Sequence, residues 1–178
     1  MSINWLAQGI GLIAVLVFII SFQIKSNRAL LVMQMLGDTL FCIQFILLGA
    51  FTGCLSLLVM VIRNIIFLCK ENYSWARWKG WPWVFVLLSF VVSVYTWDGW
   101  KSILPFVAAA VGTFAYWENN AREFRTSNLF CASPCWLVYD LIVGSYAGAL
   151  NEAIMIVSIV VSIIRFGWDS LGKNQFGD

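Results

Sequence analysis

The residues with the most chemistry to offer stand inside apolar runs. VMVIRNIIF, residues 59–67, carries Arg63 and Asn64 among seven apolar neighbours, and LGDTLFCIQF, residues 36–45, carries Asp38 and Gln44. Arginine at the centre of a membrane helix costs about 2.5–3.5 kcal/mol on insertion scales, so it ordinarily faces other protein and has a partner. Asp38 is the expected partner. It lies thirteen residues before Phe51, the apex of the short turn between the two runs, and Arg63 lies twelve after it. At a helical rise of 1.5 Å per residue the two reach the same depth within roughly 2 Å. The expectation is a buried Asp38–Arg63 pair between adjacent helices, with Asn64 and Gln44 as further hydrogen-bonding groups. Such a pair can line a solute pathway or only lock two helices.

A second matched set is Asp140 and Glu152, each six residues from Tyr146. Two carboxylates at one depth can share a proton or hold a cation if their helix faces agree, and near a span end they can equally be solvated. Trp136 lies near the middle of its run, where a packing role is favoured over a substrate platform. Other chemistry is thin. The chain has no histidine, which removes the commonest general base and metal ligand. Cys131 and Cys135 are one helical turn apart without a second pair at metal-site spacing, and five cysteines in all argue against a disulfide framework. No phosphate-binding loop or dinucleotide fingerprint occurs. The expected catalytic, metal and cofactor sets are therefore empty, and a membrane enzyme is the least favoured class.

The elements that position these groups follow from composition. With 61% hydrophobic and 11% charged residues and a mean hydropathy of +0.85 over 178 residues, the chain reads as a small polytopic membrane protein. A helix needs about 20 mostly apolar residues to cross roughly 30 Å of hydrocarbon. Seven such runs are expected: 6–23, 29–48, 54–69, 81–97, 102–117, 127–143, and a last one opened by the turn 144–148 and ending near 166. GAFTG (49–53) and GSYAG (144–148) are read as tight turns, and 70–80 and 118–126 as polar loops.

Lysine and arginine orient the bundle. Under the seven-span count Lys25, Arg28, Lys70, Arg77, Lys79, Arg122, Arg125, Arg165 and Lys173 fall on one side and Lys101 alone on the other. Because positive flanks stay cytoplasmic, the amino terminus is expected outside and the carboxyl terminus inside. MSINW has no basic patch and no small-residue cleavage pattern follows it, so a cleaved signal peptide is not expected. Nine of the ten tryptophans fall at or near span ends, the headgroup level that amphipathic rings prefer. Basic loops with aromatic neighbours, such as YSWARWKG, suit anionic lipid headgroups better than nucleic acid.

Sliding the chain by 95 residues aligns GAFTGCL with GSYAGAL without a gap and superposes the first three runs on the last three. The expected architecture is an all-α membrane protein with two parallel three-helix repeats, 1–69 and 102–178, joined by a loop and linker helix, 70–101. Transport sites in such folds form near midplane between the halves. The polar residues repeat poorly, since Asp38, Arg63 and Asn64 fall on Ser133, Ser158 and Ile159. That mismatch favours a membrane interaction or assembly role over a pathway.

WLAQGIGLIA, LLGAFTG, the IRN triplet and CWLVYDLIVGSYAG followed by IIRF resemble the bacterial YgjV family of inner-membrane proteins over about residues 5–166. That resemblance implies a location in the inner membrane and names no reaction. More remotely, the three-plus-one-plus-three plan and SFQIKSNR resemble the SWEET and PQ-loop families, which include sugar facilitators and amino-acid exporters; Phe22 and Gln23 stand where those families often carry Pro-Gln. The resemblance implies cavity positions at Phe45 and Asn64 in the first half and at Asp140 and the neighbourhood of Ile159 in the second. The expected function is a small-solute facilitator or exporter, with a non-transporting interaction protein as the alternative. Expected partners are the bilayer and a small polar solute, nucleic acid is excluded, and a homo-oligomer is left open.

Overall fold

A computed structural model of the chain describes every residue except 1–3, 22–26, 71, 119–120 and 168–178. Phe22, Gln23, Lys25, Trp168 and Lys173 thus lie outside the described residues. The described elements are helical: α1 Trp5–Ser21, α2 Asn27–Leu47, α3 Phe51–Cys69, α4 Trp81–Tyr95, α5 Ile103–Glu118, α6 Ala121–Ser127, α7 Ser133–Val143 and α8 Tyr146–Phe166. A π-helical turn, Asn128–Ala132, joins α6 to α7, so these three make one continuous segment and the described residues hold seven α-helical segments. The π turn sits just before Pro134, which has no N–H to give the helix ladder. The ladder widens there instead, Ser133 donating to the Asn128 carbonyl.

Two expected boundaries move. Residues 118–126 are largely helix rather than loop, because α6 continues the helical course back to Ala121. The turns GAFTG and GSYAG are shorter than read. Only Gly49 (φ 69°) and Gly144 (φ 79°) adopt the left-handed conformation that ends α2 and α7, and α3 and α8 start two residues later. The second glycine of each motif lies inside a helix and serves close packing. A Cβ on Gly53 would stand 2.7 Å from the Tyr139 ring, and one on Gly148 would stand 2.6 Å from the Asp140 carboxylate.

Helix neighbours close a ring: α1 packs on α2, α2 on α3, α3 on α5, α5 on α7, α7 on α8, and α8 on α1, with α4 outside against α3 and α5. Hydrogen bonds knit the end carrying the two glycine turns. The Gln8 amide donates to the Gly144 carbonyl at 2.6 Å and its oxygen accepts from the Ala147 N–H at 3.2 Å. Gln8 of α1 thereby caps the end of α7 and the start of α8. Thr52 donates to the Thr96 carbonyl at 2.8 Å, tying α3 to the end of α4. At the opposite end Lys70 donates to the Trp117 carbonyl at 2.9 Å and lies 3.8 Å over that indole.

Burial is inverted relative to a water-soluble domain. Arg63, Gln44, Asp140, Thr113 and several serines are buried, while Leu87, Phe90, Val91, Ile154, Val157 and Ile164 are among many large apolar side chains left exposed. A soluble monomer does not present such a surface; hydrocarbon would cover it. By length and apolarity, Phe51–Cys69 and Tyr146–Arg165 suffice to cross a bilayer, and Trp5–Ile20, Met35–Leu47 and Trp81–Tyr95 are apolar but shorter. The Gly53 contact gives a direct check: Gly53→Ala should cost about 1–3 kcal/mol through overpacking and lower the melting temperature in detergent. Gly9→Ala, where nothing lies within 4 Å of the new Cβ, should be neutral or slightly stabilising.

Candidate functional site

Asp38 and Phe45 are seven residues apart on α2, nearly two full turns, and so share a face. That face looks into the ring. Phe45 meets Trp136 and Tyr139 of α7 with ring centroids 6.1 and 5.9 Å away, and the last two lie 5.8 Å from each other. All three are buried. The Tyr139 hydroxyl accepts the Gly53 N–H at 2.8 Å, satisfying a donor that the first turn of α3 would otherwise leave orphaned. These rings fill the bundle towards the Gly49 and Gly144 turns. Trp136 therefore does pack, as its position in the run suggests, and it does so in the middle of the ring.

Past the aromatic triad the interior turns polar. Arg63 is 1% exposed. Its Nε and Nη2 both donate to Asn64 Oδ1, at 3.2 and 2.9 Å, and its Nη1 donates to Thr113 Oγ1 at 3.0 Å. The Thr113 hydroxyl passes its own proton to the Ala109 carbonyl at 2.6 Å, which leaves a lone pair for the arginine. The guanidinium carbon lies 4.6 Å over the Tyr116 ring. Gly112 leaves the room, its missing Cβ lying 3.8 Å from Nη1. Arg63 is thus held by its own neighbour and by α5.

Asp38 is close enough to feel Arg63, Tyr116 and Glu152 electrostatically, yet the described residues show no ion pair between Asp38 and Arg63 within bonding distance. The depth match of Asp38 and Arg63 puts them in one cluster without the direct pair. The reason is that Thr113 and Asn64 reach the guanidinium first. Glu152 of α8 completes the set. It faces Ser133 of α7, adjoins Asn151, whose amide donates to it at 3.3 Å, and is in electrostatic range of Asp38 and Asp140. Asp38 on α2 is in electrostatic range of Tyr116 on α5 and Glu152 on α8, and neither of these helices packs beside α2 in the ring. Asp38, Asn64, Tyr116, Asn151 and Glu152 are nonetheless half-buried rather than sealed.

Asp140 and Gln44 stand apart. Asp140 is 2% exposed in the last turn of α7, facing Ser145 and Gly148, and its Oδ1 has no hydrogen-bond partner. Gln44 is wholly buried against Gly11 of α1 and Ala147 of α8, with neither amide atom partnered. Six residues from Asp38 rotate it by about 240°, so it leaves the Asp38 cluster and joins a different seam. Ile159 is buried in the lower part of α8, and Ser158 beside it is exposed. Sequence reasoning missed Thr113, Tyr116 and Ser133 as members of the cluster. Thr113 could have been found as the one hydroxyl within AAAVGTFA; Tyr116 and Ser133 carry no local signal.

The fold and its apolar exterior define a helical membrane protein. Residues 5–169 match the bacterial inner membrane protein family Imp-YgjV, and the chain belongs to that family. A relative, inner membrane protein YgjV of Escherichia coli (strain K12), is 25% identical over 166 residues, covering 93% of this chain and 87% of its own. No solved structure matches the chain.

A double-mutant cycle separates the observed ties from the expected pair. Arg63→Met with Thr113→Val should show a coupling of about 0.5–3 kcal/mol in detergent unfolding. The charge swap D38R/R63D should be no more stable than its better single variant; rescue by the swap would restore the direct pair.

Proposed function

We propose that this chain crosses the inner membrane seven times as two parallel three-helix repeats with α4 as linker, and that it is a facilitator or exporter of a small polar solute. The helix contacts support the repeat. Exchanging α1, α2 and α3 for α5, the α6–α7 segment and α8 carries α1–α2 into α5–α7, α2–α3 into α7–α8, and α1–α8 into α5–α3, each of which is a packed pair. The carrying observation for transport is the half-buried polar cluster at the ring centre, built by five helices and closed towards one end by Phe45, Trp136 and Tyr139. Intramembrane ionisable groups of this kind mark pathways. With basic residues cytoplasmic, the aromatic triad faces outside and the solute enters the cluster from the cytoplasm.

The assembly reading has one observation in its favour: Arg63 spends donors on Asn64 and Thr113 and its face on Tyr116, as a helix lock would. Reconstitution into liposomes with a panel of radiolabelled sugars and amino acids decides between them. Flux of at least one solute, reduced at least about tenfold by Asp38→Asn, is the expected result; no flux for any solute favours assembly.

A further inference from the structure

A cavity of about 710 Å³ opens between α5 and α6, within the range of roughly 300–1,000 Å³ usual for small-molecule sites. It is separate from the Arg63 cluster. Val111, Phe114, Ala115 and Glu118 line it from α5, at the i, i+3, i+4, i+7 spacing that puts them on one helix face. At about 100° per residue, that face points roughly 200° away from the face carrying Gly112, Thr113 and Tyr116, which hold Arg63. Phe114 is 39% exposed, and Trp83 of α4, itself 66% exposed, lies 5.1 Å from its ring. The cavity therefore opens on the outside of the ring, where hydrocarbon would cover the helices. Its Glu118 end adjoins Trp117, whose indole lies under the Lys70 cation, and such side chains mark the headgroup level.

Arg122, Glu123, Thr126 and Ser127 line the cavity from α6, again from one helix face. The α6–α7 segment packs back along α5, so the two walls run in opposite directions and their polarity is graded in the same sense. Glu118, Arg122 and Glu123 gather at the mouth and are exposed; Thr126 and Ser127, one turn further along α6, are half-buried. Phe114, Ala115 and Val111 continue the α5 wall inward, Val111 lying seven residues and about 10 Å from Glu118. Charge, then hydroxyl, then hydrocarbon is the order of groups along a glycerophospholipid read inward from the membrane surface. The charge at the mouth is also mixed. A guanidinium suits a phosphate, bidentately, while two carboxylates suit a cation with N–H groups to donate and repel a second anionic group.

We propose that the α5–α6 cavity seats one phospholipid whose headgroup carries a primary ammonium. Arg122 binds its phosphate, Glu118 and Glu123 accept the ammonium N–H bonds, Thr126 and Ser127 meet the glycerol esters, and the start of an acyl chain lies on Val111, Phe114 and Ala115. The site stands apart from the ring centre and holds whether or not the ring conducts a solute. A water-soluble headgroup would leave the apolar wall uncovered, and a quaternary ammonium would offer the carboxylates no N–H.

The full-length protein, purified in a neutral detergent, is given dioleoyl phosphatidylethanolamine, the matching phosphatidylcholine or phosphatidylglycerol, or water-soluble glycerophosphoethanolamine, and is followed by thermal unfolding and native mass spectrometry. Saturable retention of one phosphatidylethanolamine with a rise in melting temperature is expected, the other two lipids binding at least about tenfold more weakly. Glu118→Gln with Glu123→Gln should erase the preference over phosphatidylcholine, and Arg122→Gln should weaken all three lipids. Asp98→Asn, which alters the Lys101 pair before α5, should leave the preference unchanged. The comparison of lipids on the unaltered chain decides the matter even where a variant fails to fold. Equal retention of the three lipids, as annular contact alone would give, would overturn the proposal. So would a preference untouched by the double glutamate variant, or glycerophosphoethanolamine binding as tightly as the lipid.

Discussion

The burial of Arg63 is the constraint on which the rest of the interior depends. A guanidinium inside an apolar helix must be solvated by protein, and the structure does this with Asn64 on the same helix and Thr113 and Tyr116 on α5. Hydrogen bonds to a charged group contribute about 1.5–3 kcal/mol each, enough together to offset an insertion cost of about 2.5–3.5 kcal/mol. The consequence is topological as well as energetic. Arg63 joins α3 to α5, and that contact is the one by which the first three helices meet the segments after α4 on that side of the ring. Gln8 performs the corresponding task on the other side, tying α1 to α7 and α8 through backbone groups.

Because Arg63 is satisfied locally, Asp38 is left without it as a direct partner, and Glu152 is met instead by Asn151 and Ser133. A lone arginine facing a lone aspartate would have produced a closed, neutral lock. Here Asp38 and Glu152 share the interior with a guanidinium already engaged by Asn64 and Thr113, beside three packed aromatic rings and a tyrosine hydroxyl bonded to the start of α3.

Much of the fold was legible in the sequence because apolar run length and glycine punctuation act locally. The helical segments lie close to the expected runs, and Gly49 and Gly144 end their helices where the paired motifs indicate. What escaped was side-chain geometry. Depth counting brought Asp38 and Arg63 to one level but carries no information about azimuth or about competitors on a third helix, so Thr113 was invisible to it. Gln44 was grouped with Asp38 by proximity in sequence, while a 240° rotation sends it to α1 and α8. Gly53 and Gly148, read as turn residues, are contacts to α7, a role that only the assembled bundle reveals.

The most direct test of the account is the sidedness of solvent access to the ring centre. In a background with the five native cysteines replaced by alanine, Asn64→Cys should react with a membrane-impermeant thiol reagent in inverted inner-membrane vesicles and should be protected in intact spheroplasts. Failure to label from either face, or labelling from the outside with Phe45, Trp136 and Tyr139 intact, would contradict a polar chamber open to the cytoplasm beneath an aromatic seal.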